Sequence, residues 1–274
     1  MRERYLIIHM DDMGLCHSAN AAGKALFLHG TVTSASIMVP CPWADDFLEW
    51  SVHHPEYDVG LHATTTCEWE RMRWRPLAGN VPSLTGKLGF LLNGAGEEAA
   101  AVQTEDFLAE IETQIRWAGD AGLRATHLDN HMWTAVSRPE LLRGYLNLAK
   151  RYGFIPHIPA FSSYDETRRA VIQESGCYQV DFDWSIDGSW DCFYRQLEEL
   201  PEGLTVLTIH PVKDYPEVRA LIPDYRKRVA EYELFLRPET AVALKKSGIR
   251  LITWREAADI FGGIGNAGEE SAGR

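Results

Sequence analysis

Residues 5–14, YLIIHMDDMG, run from a nearly continuous β-favouring stretch into two adjacent aspartates and a glycine. A strand with little polar alternation is buried on both faces, as in a parallel sheet covered by helices. The pattern recurs at SASIMV (34–39), DVGLHA (58–63), ATHLDN (125–130), LTVLTIH (204–210) and IRLITW (249–254). Helical periodicity fills the intervals, over Ser18–His29, Thr104–Ala121, Pro139–Tyr152, Tyr164–Glu174, Asp224–Leu236 and Pro238–Lys246. Weaker β segments at Phe154–Phe161 and Tyr178–Phe182 bring the expectation to about seven or eight strand–helix units. The spacing therefore predicts an α/β fold, a TIM-barrel-like (β/α) barrel of parallel strands. One domain is expected over residues 1–262, followed by a flexible, Gly-rich tail over 263–274. The stretch Glu68–Glu98, rich in Gly, Pro and aromatics, is too long for an ordinary connection and reads as a functional loop near the site.

In such folds the active site lies at the C-terminal ends of the strands. Four strand ends carry Asp or His: Asp11 and Asp12, then His62, then His127, Asp129 and His131, and finally His210. Alone, Asp12 before Gly14 and Ser18 would read as a turn or helix cap, and a lone strand-end histidine as a satisfied structural one. Together they make a constellation. Two adjacent carboxylates repel, and a divalent cation relieves that repulsion. One Asp and two His form a three-ligand set that leaves positions open for water and substrate. If the strand persists, Asp11 and Asp12 point to opposite sides, so that one holds the metal and the other reaches a water. His127, Asp129 and His131 share a face if extended; those not on the metal serve as its outer partners. His210, before Pro211, is a general-acid candidate.

A net charge of −12 argues against a nucleic-acid footprint, which needs clustered Lys and Arg. No apolar run has the length of a membrane span, and the charged N-terminus leads straight into a strand, so a cytoplasmic location is expected. The five cysteines are widely spaced without a CxxC pair, which points to reduced thiols; Cys16, near the aspartates, reads as a small buried residue.

HMDDMG, VGLH, THLDNH and TIHP, in that order over residues 5–211, resemble the YdjC/ChbG family of carbohydrate deacetylases. The resemblance implies a TIM-barrel-like domain, Asp11 as catalytic base, and Asp12, His62 and His131 as ligands of one divalent ion, magnesium or zinc. It further implies an acid or oxyanion role for His210 and leaves His127 as a neighbour. The chain departs from the family pattern at Met13, where Phe is usual, at His9, where Asn is common, and after THLDNH, where further histidines are missing and Trp133 is placed to stack on a ligand.

The expected substrate is an N-acetylated amino sugar or short oligosaccharide. Asp11 would take a proton from the attacking water and His210 would protonate the leaving amine, with Asp129 and Trp133 as outer or substrate contacts. One rival is a metal-dependent hydrolase of a phosphoester or non-sugar amide, for which Arg71, Arg73 and Arg75 would have to fold over the site as an anion clamp. The other is a non-catalytic sugar-binding protein on the same barrel. No membrane or nucleic-acid partner is expected, and a homodimer is left open.

Overall fold

The computed structural model describes residues 3–94, 101–186 and 189–262, so the expected tail and residues 95–98 of the long loop lie outside the described residues. Eight strands form one sheet: β1 (Arg4–Met13), β2 (Ser34–Ile37), β3 (Asp58–Ala63), β4 (His127–Asn130), β5 (Ile155–Pro156), β6 (Phe182–Ser185), β7 (Gly203–Ile209) and β8 (Arg250–Leu251). All pairs are parallel, in the order β5-β4-β3-β2-β1-β7-β6, with β8 also on β1. The carbonyl of Leu6 accepts from Ile252 N and that of Ile8 from Thr33 N. Carbonyls two residues apart point the same way, so β8 and β2 share one edge of β1.

The sheet curls until its end strands meet. Among the described residues no ladder joins β5 to β6; instead Ile158 O accepts from Val180 N (3.2 Å), Pro159 O from Gln179 Nε2 (2.7 Å), and Asp183 accepts from Ala160 N (2.6 Å). The result is the expected α/β, TIM-barrel-like architecture, stitched rather than laddered at one seam.

The helices are α1 (His17–His29), α2 (Ala44–His53), α3 (Thr104–Asp120), α4 (Pro139–Tyr152), α5 (Glu166–Ser175), α6 (Trp190–Glu199), α7 (Pro216–Leu221), α8 (Tyr225–Leu236), α9 (Pro238–Lys246) and α10 (Trp254–Phe261). The six predicted from periodicity are present within a residue or two. Those not predicted are α2, α6, α7 and α10, of 10, 10, 6 and 8 residues. The last apolar run also differs from expectation: only Arg250–Leu251 is strand. Thr253 and Glu256 form a capping box that starts α10 at Trp254. β6 likewise begins where the expected strand ended.

Alternation along β1 sets up the site. Leu6, Ile8 and Met10 face the main core under the helices, whereas Ile7 joins Val180, Leu204, Val206, Ile252, Trp254 and Ala257 in a separate buried cluster. That cluster fills the barrel near the N-terminal ends of β1 and β7, where Tyr5 and Ile7 pair with Leu204 and Val206. Two and four residues further along the same face stand His9 and Asp11. The barrel thus has an apolar floor and a polar rim.

Candidate active site

The register of β1 slips between Met10 and Met13, and Asp12 adopts a left-handed backbone with φ 66°. The slip turns the Asp12 carboxylate from the outer face to the rim. The two aspartates therefore do not point to opposite sides: Nε2 of His62 lies 3.9 Å from Asp11 Oδ2 and 3.4 Å from Asp12 Oδ1. A regular strand would have separated them, and the bulge brings them together.

His62 is the next-to-last residue of β3 and His131 follows β4, which puts both imidazoles beside Asp12. The Nδ1 of His131 is 3.5 Å from Asp12 Oδ1, and donor atoms of Asp12, His62 and His131 all lie within 4.8 Å of one another. Asp12 Oδ1 and His131 Nε2 are buried without hydrogen-bond partners. Buried polar atoms are rarely left so, and here they face a cavity of about 280 Å³ lined also by Asp11, His210, Trp133 and Phe161. A divalent cation fits this donor set and would satisfy the orphaned oxygen. Two other buried groupings, His9–His127–Asp129 and Asp11–His62–Asp129, fit less well. Each already contains a direct hydrogen bond, His9 Nε2 to Asp129 (2.6 Å) and His62 Nδ1 to Asp129 (2.7 Å).

Asp129 is the hub beneath the rim. It accepts from His62, His9 and Ser36 Oγ (2.7 Å), so that the Nδ1 of His62 is occupied and its Nε2 faces the aspartates. Burial opposes charge on Asp129, but His62 and His9 hold its carboxyl well below the usual range. Burial likewise opposes charge on His9, yet Asp11 and Asp129 raise it to about 9. Without a cation His62 is also held above its ordinary value, by Asp129 and Asp11 against the effect of burial. His131 is shifted the other way, since burial outweighs its aspartate neighbour, and it is a neutral imidazole suited to ligation.

Asp11 Oδ1 lies 3.1 Å from His9 Nε2, and Asp11 Oδ2 lies 3.7 Å from Nε2 of His210. Burial pushes the Asp11 carboxyl up, but His62 and His9 outweigh it and keep it an ionised base. The backbone N–H of His210 donates to Glu231 (2.7 Å), which fixes the turn after β7. Trp133 follows His131 in a left-handed backbone (φ 55°), as does Met132 (φ 53°), and its ring meets the edges of His157 (5.0 Å) and Phe161 (5.3 Å). Consecutive left-handed non-glycine residues carry strain and cluster at functional sites.

His127 is not at the rim. Its Nδ1 lies 2.7 Å from Thr126 Oγ1 and 3.4 Å from Asp58 Oδ1, and its ring stacks on Trp254 at 5.3 Å. The three residues of the THLDNH motif do face inward together, but they occupy successive levels of the barrel. Cys16 is buried, which pushes its thiol up to about 11 and removes it as a nucleophile. The guanidiniums of Arg73 and Arg75 lie over the Phe90 ring (4.5 and 4.6 Å), so the anion clamp is not formed by them. The long loop does reach the site, through Glu68 in the cavity wall and Trp74, whose ring is 6.0 Å from that of His131.

Arg228, Glu68 and His9 belong to the site but were not singled out as site residues from sequence. Arg228 donates to Asp12 Oδ2 at 2.6 Å. Burial opposes charge on Asp12, but this guanidinium and the two histidines hold its carboxyl well below the usual range. One signal existed: in α8, Arg228, Glu231, Leu234 and Phe235 are buried at helical spacing, so two charged residues fall on the inward stripe.

Known proteins resemble this chain in sequence and in fold. A model of the YdjC-like protein family matches residues 5–246. A carbohydrate deacetylase of Thermus thermophilus is 33% identical over 263 residues, covering 92% of this chain and 93% of its own. A carbohydrate deacetylase of Geobacillus stearothermophilus is 29% identical, covering 92% and 98%. A crystal structure from Enterococcus faecalis, named for cellobiose-phosphate cleavage, shares the fold with a TM-score of 0.80 at 21% identity, covering 93% and 99%. With its ordered motifs converging on one rim and a family match over nearly the whole chain, this protein belongs to the YdjC-like family.

Proposed function

We propose that the protein is a metal-dependent deacetylase that hydrolyses the N-acetyl group of an amino sugar or short oligosaccharide. The observation that carries this reading is the trio Asp12, His62 and His131, with Asp12 Oδ1 buried without a hydrogen-bond partner at the wall of a cavity that Asp11 and His210 also line. The relatives named carbohydrate deacetylases support the substrate class.

A divalent ion on that trio, zinc or magnesium, supplies a Lewis acid that polarises the acyl carbonyl and acidifies a water. The chain supplies the rest. Asp11, ionised and held by His9, accepts the proton of the attacking water. His210, across Asp11 and partly exposed at the cavity mouth, delivers a proton to the leaving amine. Trp133 and Phe161 offer apolar surface to a sugar ring. Asp129 and His9 hold His62 and Asp11 in place.

The test is acetate release from acetylated chito-oligosaccharides by metal-loaded protein, with chelated protein and Asp11→Asn alongside. Release that both treatments suppress supports the mechanism. No release from any such substrate, or equal release by the variant, overturns it.

A further inference from the structure

We propose that Arg228 is a positioning residue of the metal centre, which occupies Asp12 Oδ2 so that Oδ1 alone is presented to the cation. The inference rests on the metal reading above and goes beyond it. The two oxygens of Asp12 differ: Oδ2 accepts from Arg228 Nη1 at 2.6 Å, while Oδ1 is buried, has no hydrogen-bond partner, and lies 3.4 and 3.5 Å from His62 and His131. An unrestrained carboxylate can turn and take a cation through either oxygen or both. Pinning one oxygen removes that freedom, as the outer partners of metal ligands generally do.

Arg228 is itself fixed. Its side chain is 4% exposed, its Nε donates to Asp224 Oδ2 (3.1 Å), its Nη2 reaches Glu68 (3.3 Å), and its face lies 5.0 Å from the centre of the Trp69 ring. Three separate carboxylates and an aromatic face are engaged by one planar group, which a lysine, a single point charge, cannot reproduce. The guanidinium also carries a charge that would repel an incoming cation; its hydrogen bond to Asp12 Oδ2 and its contacts with Asp224 and Glu68 are what fix the orientation of the carboxylate.

The full-length protein, stripped of metal, is titrated with cobalt(II) and followed by calorimetry and by the visible absorption band of the bound ion. One site in the parent that His62→Ala removes is expected; no binding by the parent overturns the metal reading and this inference with it. Arg228→Lys and Arg228→Gln are expected to bind cobalt about 10–100-fold more weakly, with an altered absorption band. Parent-like affinity and spectrum in a variant that keeps the parent's near-ultraviolet circular dichroism overturns the inference alone. Should neither variant fold, the crystal structure of the cobalt-loaded parent decides. Ligation through Oδ1 with Oδ2 still on Arg228 upholds the role, and ligation through Oδ2 or through both oxygens ends it.

Discussion

β4 and the residue after it carry a histidine at each end, and the two ends do different work. At the floor, His127 meets an aspartate both of whose oxygens have partners: Asp58 Oδ1 is taken by Thr126 and His127, and Oδ2 accepts from Arg255 N. Gly60 makes room for the ring, since a Cβ there would stand 2.5 Å from it. At the rim, His131 meets an aspartate whose Oδ1 has no partner and faces a cavity. Both imidazoles are buried and both are pushed below the ordinary histidine value, so neither burial nor titration separates them. What separates this structural Asp–His pair from the candidate metal centre is a carboxylate oxygen without any partner, in a residue that lines a cavity beside a second histidine.

The largest expected effect breaks the rim and spares the floor. Asp11→Asn removes the base but leaves the trio intact. Turnover should fall about 10²–10⁴-fold while cobalt affinity and melting temperature stay near the parent's. Steady-state kinetics beside calorimetry checks this. A variant that loses the metal along with turnover would make Asp11 a ligand rather than a base.

The next breaks the floor and spares the rim. Trp254 is among the largest fully buried side chains and touches His127, His9 and His157. Trp254→Ala should cost about 3–5 kcal/mol of stability, read by denaturant unfolding, because the surrounding strands cannot collapse into the space. Cation affinity of the folded protein should change far less. An equal loss of both would mean that the floor sets the geometry of the rim directly.

Between the two levels stands Asp129, and its variant should move both readouts modestly. In Asp129→Asn one of the histidines that now donate to the carboxylate faces an amide N–H₂ instead. We expect cobalt affinity to drop about 10–100-fold and stability to fall by about 1–3 kcal/mol. Calorimetry and chemical denaturation of the same preparation test the pair of outcomes, and loss of stability alone would assign Asp129 to the floor.

These levels explain what was legible in the sequence. Strand ends announced themselves through composition, because β1 and β3 are buried on both faces and their terminal Asp and His interrupt apolar runs. Height along the barrel was invisible, because His127, Asp129 and His131 share one side-chain phase and differ only in axial position. The bulge at Asp12 was hidden as well, since a left-handed aspartate in a strand has no compositional mark. Two adjacent aspartates do not by themselves require a metal ion. The chain supplies positive groups of its own, Arg228 beside Asp12, His9 beside Asp11 and His62 between them. The case for a metal rests instead on the orphaned atoms and their convergence. Arg228 was the hardest to see: it lies far from every motif on an ordinary helix, and only its place on the buried stripe of α8 distinguished it.

The smallest expected effect belongs to Trp133, which is at the rim without belonging to its chemistry. Its ring stands on His157 and Phe161 and contributes to the wall of the same cavity as Asp11 and His210. Stacking of this kind is worth about 0.5–1.5 kcal/mol, which corresponds to at most about a tenfold change in binding. Trp133→Ala retains the backbone demand for a left-handed residue and removes only the ring. KM for acetylated chito-oligosaccharides should therefore rise several-fold with kcat little changed, the signature of binding shared by ground state and transition state, and Trp133→Phe should restore much of it. The opposite split, a fall in kcat at constant KM, would mean that the indole acts through the strained Met132–Trp133 turn on the placement of His131. Trp133 would then belong with the machinery of the rim rather than with its substrate wall.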